Sequence, residues 1–254
     1  MKRDERRQAI MDRLVEDRAV DLDMLAELFS VSKMTIHRDL DDLEHQGLLR
    51  KVRGGATIEA GTRFESDFRI REKHDGEAKT RMAEAALELV EPGMTVMIND
   101  GSMAAVLAAG LEGKRPLTII TNNAAIIDET KGMPGITLIA LGGVFSPKFN
   151  GFFGVVTETA LARLRADVAF ISSPAVSGLD AFHMDEPAVR AKRAMMAAAD
   201  RTCLLVNHKR FGRSALHLLA GLAEFSTIIT DAPPASEARA TLDRAGVAIT
   251  VARD

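Results

Sequence analysis

The chain holds one cysteine, no apolar stretch of membrane-spanning length and no excess of basic residues, and each absence narrows its class. A lone cysteine cannot close an internal disulfide. Cys203 lies in the apolar run Cys203-Leu204-Leu205-Val206, which reads as a buried strand rather than the setting of a nucleophile. No uninterrupted apolar run approaches the roughly 18–20 residues that span a bilayer, so no membrane partner is expected. The first residues, Met1-Lys2-Arg3-Asp4-Glu5-Arg6-Arg7, lack the apolar core of a secretion signal, and the expected compartment is the reducing cytoplasm. A net charge of −3 points globally to neither nucleic acid nor a membrane surface. The six histidines show no paired metal spacing, and no G-x-S-x-G elbow, P-loop or dinucleotide fingerprint occurs. No catalytic residue, metal or cofactor is therefore expected. Internal repeats and low-complexity tracts are also missing.

What is present changes texture once along the 254 residues, 46% of which are apolar and ample for packed cores. Residues 1–58 form short, charged helical patterns. From about Gly76 onward, apolar β-like runs alternate with helical stretches. Glu59 to His74, polar and non-periodic, reads as a linker. The expected organisation is a domain over 1–58, a linker over 59–74 and a second domain over 75–254.

In the first domain, Ile10 and Leu14 recur at helical spacing between Glu5 and Glu16. Asp21 suits the N-cap of a second short helix carrying Leu22, Leu25, Ala26 and Phe29. Ser30-Val31 then makes a tight turn. Ser32 caps a third helix from Lys33 to about His45, with Gly47 as its terminator. Two helices joined by a turn of about three to four residues, the second capped by a hydroxyl, form the helix-turn-helix pattern. Leu48 to Ala56 follows as a short strand, three cations and a glycine turn, which suits the wing of a winged helix.

The third helix buries Ile36, Leu40 and Leu43, and its other face is left to do something else. Lys33 and Arg38 can neutralise phosphates or reach guanine acceptors, while Thr35 and His37 can hydrogen-bond or meet a thymine methyl. Arg50, Lys51 and Arg53 would hold the adjacent backbone. A three-helix protein-interaction module with a solvated charged face is the competing reading, since residues 1–58 carry eleven Lys/Arg against twelve Asp/Glu. The bases nevertheless cluster at Lys33–Arg38 and Arg50–Arg53, and most acids fall outside that surface. Double-stranded operator DNA is the expected partner.

In the second domain, Thr95–Asn99, Leu117–Thr121, Ile136–Leu141, Asp167–Ser172, Cys203–Asn207, Thr227–Thr230 and Val247–Val251 are mostly continuous apolar runs. Helical stretches such as Glu77–Val90, Ala104–Leu111, Ala188–Ala199 and Ser236–Ala245 separate most of them. Alternation of that kind predicts a mainly parallel sheet covered on both faces. Ligands of such sheets sit beyond the carboxyl ends of the strands. The polar residues there are Asn99, Asp100, Gly101 and Ser102; Thr121, Asn122 and Asn123; Gly142 and Gly143; and Asn207-His208-Lys209-Arg210-Phe211-Gly212-Arg213. Glycines admit close backbone approach, helix N-termini offer free amides, and Lys209, Arg210 or Arg213 can neutralise an anion. The set suits a phosphorylated sugar or polyol.

The stretch "VSKMTIHRDLDDLEHQGLLRKVRGGA" closely resembles the signature of the DeoR family of bacterial transcriptional regulators. The likeness runs to the C-terminus through "IITNNAAI", "LGG", "VRAKRAMM", "NHKRFGRSAL" and "ITDAPP", and is nearest to the glycerol-3-phosphate regulon repressor type. It implies a winged helix-turn-helix read by Ser32 and the cations named above, followed by an α/β sensor domain similar to ribose-5-phosphate isomerase. It further implies a sugar-phosphate or polyol-phosphate effector that releases DNA, and adds Asp185 and Lys192 to the effector residues. His37 stands where an arginine is usual. In the loop usually D-x-G-T-T, Asn99, Ser102 and Met103 replace the aspartate and both threonines. Asn207 replaces the aspartate of D-H-S-K-F-G-R, Ala188 stands where an acid is usual, and Pro174 where glycine is common. Losing two carboxylates from that site while gaining cationic character favours a more anionic ligand, or abandonment of the ancestral one.

A phosphosugar isomerase is the alternative function, with Asp100, Asp185 and Glu186 as candidate bases by type. Asn99 and Asn207 speak against it, because amides cannot transfer protons. One helix-turn-helix reads only a short half-site, so a homo-oligomer, dimer or tetramer, is expected.

Overall fold

The computed structural model describes residues 2–17, 19–45, 48–57 and 68–253, which fall into two compact units, Met1–His74 and Asp75–Asp254. In the first unit, α1 (Arg3–Asp17), β1 (Ala19–Asp21), α2 (Leu22–Leu28) and α3 (Lys33–His45) precede the hairpin β2 (Arg50–Val52) and β3 (Gly55–Thr57). Asp21 starts α2 as its pattern requires, its carboxylate accepting from the N–H groups of Asp23 at 2.8 Å and Met24 at 3.1 Å. The helix-turn-helix corner is closed by Val31 N–H donating to Ala26 O at 3.0 Å, with Ser30 in the left-handed region at φ +51°. Ser32 then caps α3, accepting from Thr35 N–H at 3.2 Å. Ile36, Leu40 and Leu43 pack with Ile10, Leu14 and Leu25 into one small core. Gly47, the expected terminator of α3, lies outside the described residues.

The three short strands form an antiparallel sheet in the order β1-β3-β2, which makes the unit a winged helix. The paired glycines of the wing have separate structural reasons. Gly54 turns the hairpin at φ +85°, and a Cβ on Gly55 would come within 1.9 Å of Val20 O. Between α1 and α3 sits a buried ion cluster: Asp39 accepts from Arg6 Nε at 2.5 Å and from Arg7 Nε at 3.3 Å. The stretch read as a linker, Glu59–His74, is corrected at its end. Phe68–Lys73 is a helix, α4, in contact with α1, and Phe68 is buried; the charges around it hid that burial. The remainder of that stretch, through Asp67, lies outside the described residues.

The second unit is a seven-stranded parallel sheet. Its strands are β4 (Thr95–Ile98), β5 (Leu117–Thr121), β6 (Ile136–Ala140), β9 (Ala166–Ser172), β12 (Ala199–Leu205), β14 (Thr227–Thr230) and β15 (Thr250–Val251), in the order β15-β14-β12-β9-β4-β5-β6. Alternate side chains divide between two cores. Val96, Ile98, Ile119, Phe170 and Leu205 face α5 (Gly76–Leu87) and α6 (Ser102–Gly110). Met97, Ile120, Ile171 and Leu204 face the opposite way, toward α8 (Val155–Leu161), α9 (Glu186–Ala197) and α10 (Ser236–Arg244). Helix α7 (Ala124–Thr130) links β5 to β6.

Antiparallel additions were not visible in the alternating pattern. They are the hairpin β7 (Val144–Ser146) and β8 (Gly151–Phe153), and a small sheet of β10 (Ala175–Ser177), β11 (Asp180–His183) and β13 (His217–Gly221). From β4 the chain winds outward through β5 to β6, then returns to place β9 on the other side of β4. The order therefore reverses between β4 and β9, and open sheets of this kind take their ligands at the carboxyl ends beside such a reversal.

Candidate nucleic-acid interface and effector site

The exposed side of α3 is not uniform. Ser32 and Thr35 spend their hydroxyls on each other at 2.9 Å, within the cap. Lys33 Nζ is held 2.8 Å from Asp23 Oδ2. His37 and Arg38 are exposed, and Arg38 makes no hydrogen bond or ion pair with any described residue. On the wing, Arg50 and Arg53 are exposed. Lys51 is bonded to the Asp41 carboxylate, and its N–H donates to Glu44 Oε1 at 2.7 Å. The Lys51 hydrogen bond, opposed by desolvation and aided by the charges of Lys51, His37 and His45, holds Asp41 below the ordinary aspartate range. Met34, which the sequence pattern did not single out, is also exposed on this helix.

In the second unit, the residues expected at strand ends converge most tightly at the switch between β4 and β9. Asn99 Nδ2 donates to Asp100 O and, at 3.2 Å, to Ser172 Oγ, while Asn99 Oδ1 accepts from Ser172 N–H at 3.0 Å. The Asn99 amide is thus used within the protein as a clamp between two strands. A carboxylate there could not donate. Lys192 reaches in from α9, 2.9 Å from Ser172 O and 3.6 Å from Asp100 Oδ1, with both charged side chains almost wholly buried. Ser172, the terminal residue of β9, is the functional candidate missed in the sequence; its place beside the switch point depends on strand order.

The next strand adds Thr121, whose hydroxyl donates to Ile98 O at 2.7 Å, and Asn123, which caps α7 and donates to Gly101 O at 3.1 Å. Asn122 Nδ2 donates to Phe152 O at 2.9 Å, which leaves Asn122 Oδ1 buried without a partner. Gly101 takes φ +116° just before Ser102 opens α6. The Gly142-Gly143 pair has an internal explanation: Thr157 Oγ1 donates to Gly142 O at 2.6 Å, and a Cβ on Gly143 would meet Phe153 O at 2.5 Å.

The loop after β12 is anchored elsewhere. Asp231, at the end of β14, accepts from His208 N–H at 2.7 Å and lies 2.8 Å from the same residue's Nδ1. Lys209 Nζ meets Asp75 Oδ1 at 2.7 Å. Burial would raise Asp75, but the hydrogen bond and charge of Lys209, with Lys79 and Arg210 beyond, hold it below the ordinary range. Arg210 is half-buried and Gly212 turns the exposed tip at φ +77°. Asn207 Oδ1 accepts from Lys209 N–H at 2.9 Å, which fixes the amide and leaves Asn207 Nδ2 buried without a partner. Among the described residues, no hydrogen bond or ion pair joins Asn207, His208 or Lys209 to Lys192 or Asp100. Asp185 caps α9, accepting from Ala188 N–H at 2.9 Å. Ala188 itself is buried with Phe149, Phe153 and Ala191, so the position where an acid is usual is apolar here. Among the described residues no cluster of His, Cys, Asp or Glu could hold a metal ion, and no helix is long and apolar enough to cross a membrane.

Residues 74–232 match the DeoR C-terminal sensor domain, and residues 6–61 match the DeoR-like helix-turn-helix domain. The chain belongs to the DeoR family. It is 29% identical over 238 residues to the glycerol-3-phosphate regulon repressor of Escherichia coli, covering 92% of this chain and 93% of that protein. It is 30% identical over 250 residues to the uncharacterized regulator YgbI of the same organism, covering 98% of each. To the L-fucose operon activator of Haemophilus influenzae it is 31% identical, over 82% of this chain and 83% of that one. A solved D-ribose-5-phosphate isomerase in complex with phospho-erythronic acid aligns over 53% of each chain at 16% identity and a TM-score of 0.39. Like its DeoR relatives, the protein is a DNA-binding transcriptional regulator, and its second unit is a small-molecule sensor domain.

Proposed function

We propose that this DeoR-family chain represses a carbohydrate or polyol catabolic operon in the cytoplasm and leaves DNA when a phosphorylated sugar or polyol, of the kind of glycerol 3-phosphate, binds its sensor unit. Arg38 and His37 read base edges; Lys33, Arg50, Lys51 and Arg53 hold phosphates; Ser32 and Thr35 fix the start of the reading helix. The unit acts within a dimer or tetramer on paired half-sites. Whole-length likeness to sugar-operon regulators supports regulation over the phosphosugar isomerase alternative.

One observation carries the sensor reading: the buried cluster of Asp100, Ser172 and Lys192 at the β4/β9 switch point, where open parallel sheets take their ligands. Two fixed amides, just past the ends of β5 and β12, have unspent capacity. Asn122 offers an acceptor, which suits a ligand hydroxyl, and Asn207 offers a donor, which suits an anionic oxygen. An aspartate at 207 would offer acceptors in place of that donor. Asn99 positions the loop rather than touching the ligand. The inducer must bind the DNA-incompetent state more tightly than the competent one. Fluorescence anisotropy on DNA upstream of the chain's own gene, titrated with polyol and sugar phosphates, tests this: one compound should lower affinity for DNA, and failure of every compound in the panel would overturn the effector class.

A further inference from the structure

We infer that Met34 is a base-reading side chain whose target is the C5 methyl group of a thymine. The inference rests on the DNA-reading assignment above and adds a chemical class of contact to it. The other apolar residues of α3, Ile36, Leu40 and Leu43, are no more than 3% exposed, whereas Met34 is 61% exposed. It therefore contributes nothing to the core that shapes the helix. Met34 stands three and four residues before His37 and Arg38, so the three share one face of the first two turns.

Single exposed hydrophobic residues are ordinary on protein surfaces. Met34 differs in what surrounds it. Two residues expected to read bases are engaged elsewhere, Thr35 with Ser32 and Lys33 with Asp23. With Lys33, itself exposed, paired to Asp23, Met34, His37 and Arg38 remain exposed on that face. In the major groove, thymine alone presents an apolar group at the base edge, and the flexible thioether of methionine packs against such a surface without strict geometry. An arginine beside it, matched to the O6 and N7 acceptors of guanine, would read a guanine close to that thymine.

The test uses the full chain and a selected operator. Random-sequence duplexes are enriched on the protein, and each thymine of the winning sequence is then replaced by deoxyuridine, which removes only the methyl group. At one thymine in each half-site the wild type should bind roughly fourfold more weakly, the equivalent of one buried carbon at about 0.8 kcal/mol. Met34→Ala should bind the thymine and deoxyuridine duplexes equally, Met34→Leu should keep the preference, and Arg38→Ala should keep it at lower affinity. Wild-type indifference to every replacement, or undiminished sensitivity in a folded Met34→Ala protein, overturns the inference while leaving the DNA-reading assignment standing. Enrichment of no sequence at all overturns both.

Discussion

Lys192 Nζ lies 3.6 Å from Asp100 Oδ1, inside the sensor unit and out of reach of solvent. The ammonium has Ser172 O as its hydrogen-bond acceptor, so two charges are balanced at the carboxyl ends of β4 and β9 by very few groups. Removing either one leaves the other buried alone. Lys192→Met is expected to destabilise the unit by about 3–5 kcal/mol, and the double variant with Asp100→Asn should regain most of that loss. The chain has neither tryptophan nor tyrosine, so urea unfolding is best followed by far-ultraviolet circular dichroism. Equal losses in the single and double variants would contradict the pairing.

Restoring the family's aspartate at 99 should harm this chain. Asn99 donates to Asp100 O and Ser172 Oγ, and Asn99→Asp would trade both donations for a second buried carboxylate beside Asp100. A loss of about 1–3 kcal/mol is expected from the broken hydrogen bonds alone, read as a lower urea midpoint.

Arg38 and Lys51 should behave differently on DNA. Arg38→Ala is expected to cost about 1–3 kcal/mol on a specific operator and much less on random duplex. Lys51→Ala should weaken all sequences alike and reduce the salt slope by about one. Equal effects of Arg38→Ala on specific and random DNA would remove it from the base-reading set.

On the proposed assignment of Lys51 to a phosphate, Asp41, to which it is bonded, competes with DNA for it. Because the Asp41 carboxyl lies below the ordinary value of 3.8, its contribution to holding the wing is present above that value and is lost only as pH falls through the depressed one. Neutral pH therefore does not release the lysine. Asp41→Asn should do so at once, raising affinity for every duplex several-fold and steepening the salt dependence, measured by anisotropy at two or more salt concentrations.

Cys203 should be silent in the native protein. Burial pushes its thiol up to about 12, so a thiol reagent at neutral pH should label it only after unfolding. Rapid labelling without denaturant would show that the sheet opens around β12.

Much of this architecture was legible because it rests on local signals. Asp21 and Ser32 announce helix starts by their side-chain oxygens, Ile36, Leu40 and Leu43 mark a buried stripe, and the apolar runs of the parallel strands are nearly continuous. The hairpin β7–β8 and the sheet of β10, β11 and β13 escaped notice because strands of three to five residues show too few alternations to stand apart from loops. Phe68 was hidden in a charged stretch whose helix lies in contact with α1. At the site, polar residues at strand ends could be read as candidates, but which of them meet could not. Ser172 gains its place from the reversal of strand order, a property of the whole sheet. Conversely, Gly143 looked like a place for a ligand to approach, and it is required by its own chain, beneath Phe153.

Asp39 has a consequence for how such a reader changes over generations. It fastens α3 to α1 through Arg6 and Arg7 from the buried side, independently of what stands at 34, 37 and 38. On the reading proposed for those positions, a duplicated descendant could exchange the three outward letters and seek a new genetic address with its scaffold intact, whereas loss of Asp39 would loosen the scaffold behind every address at once.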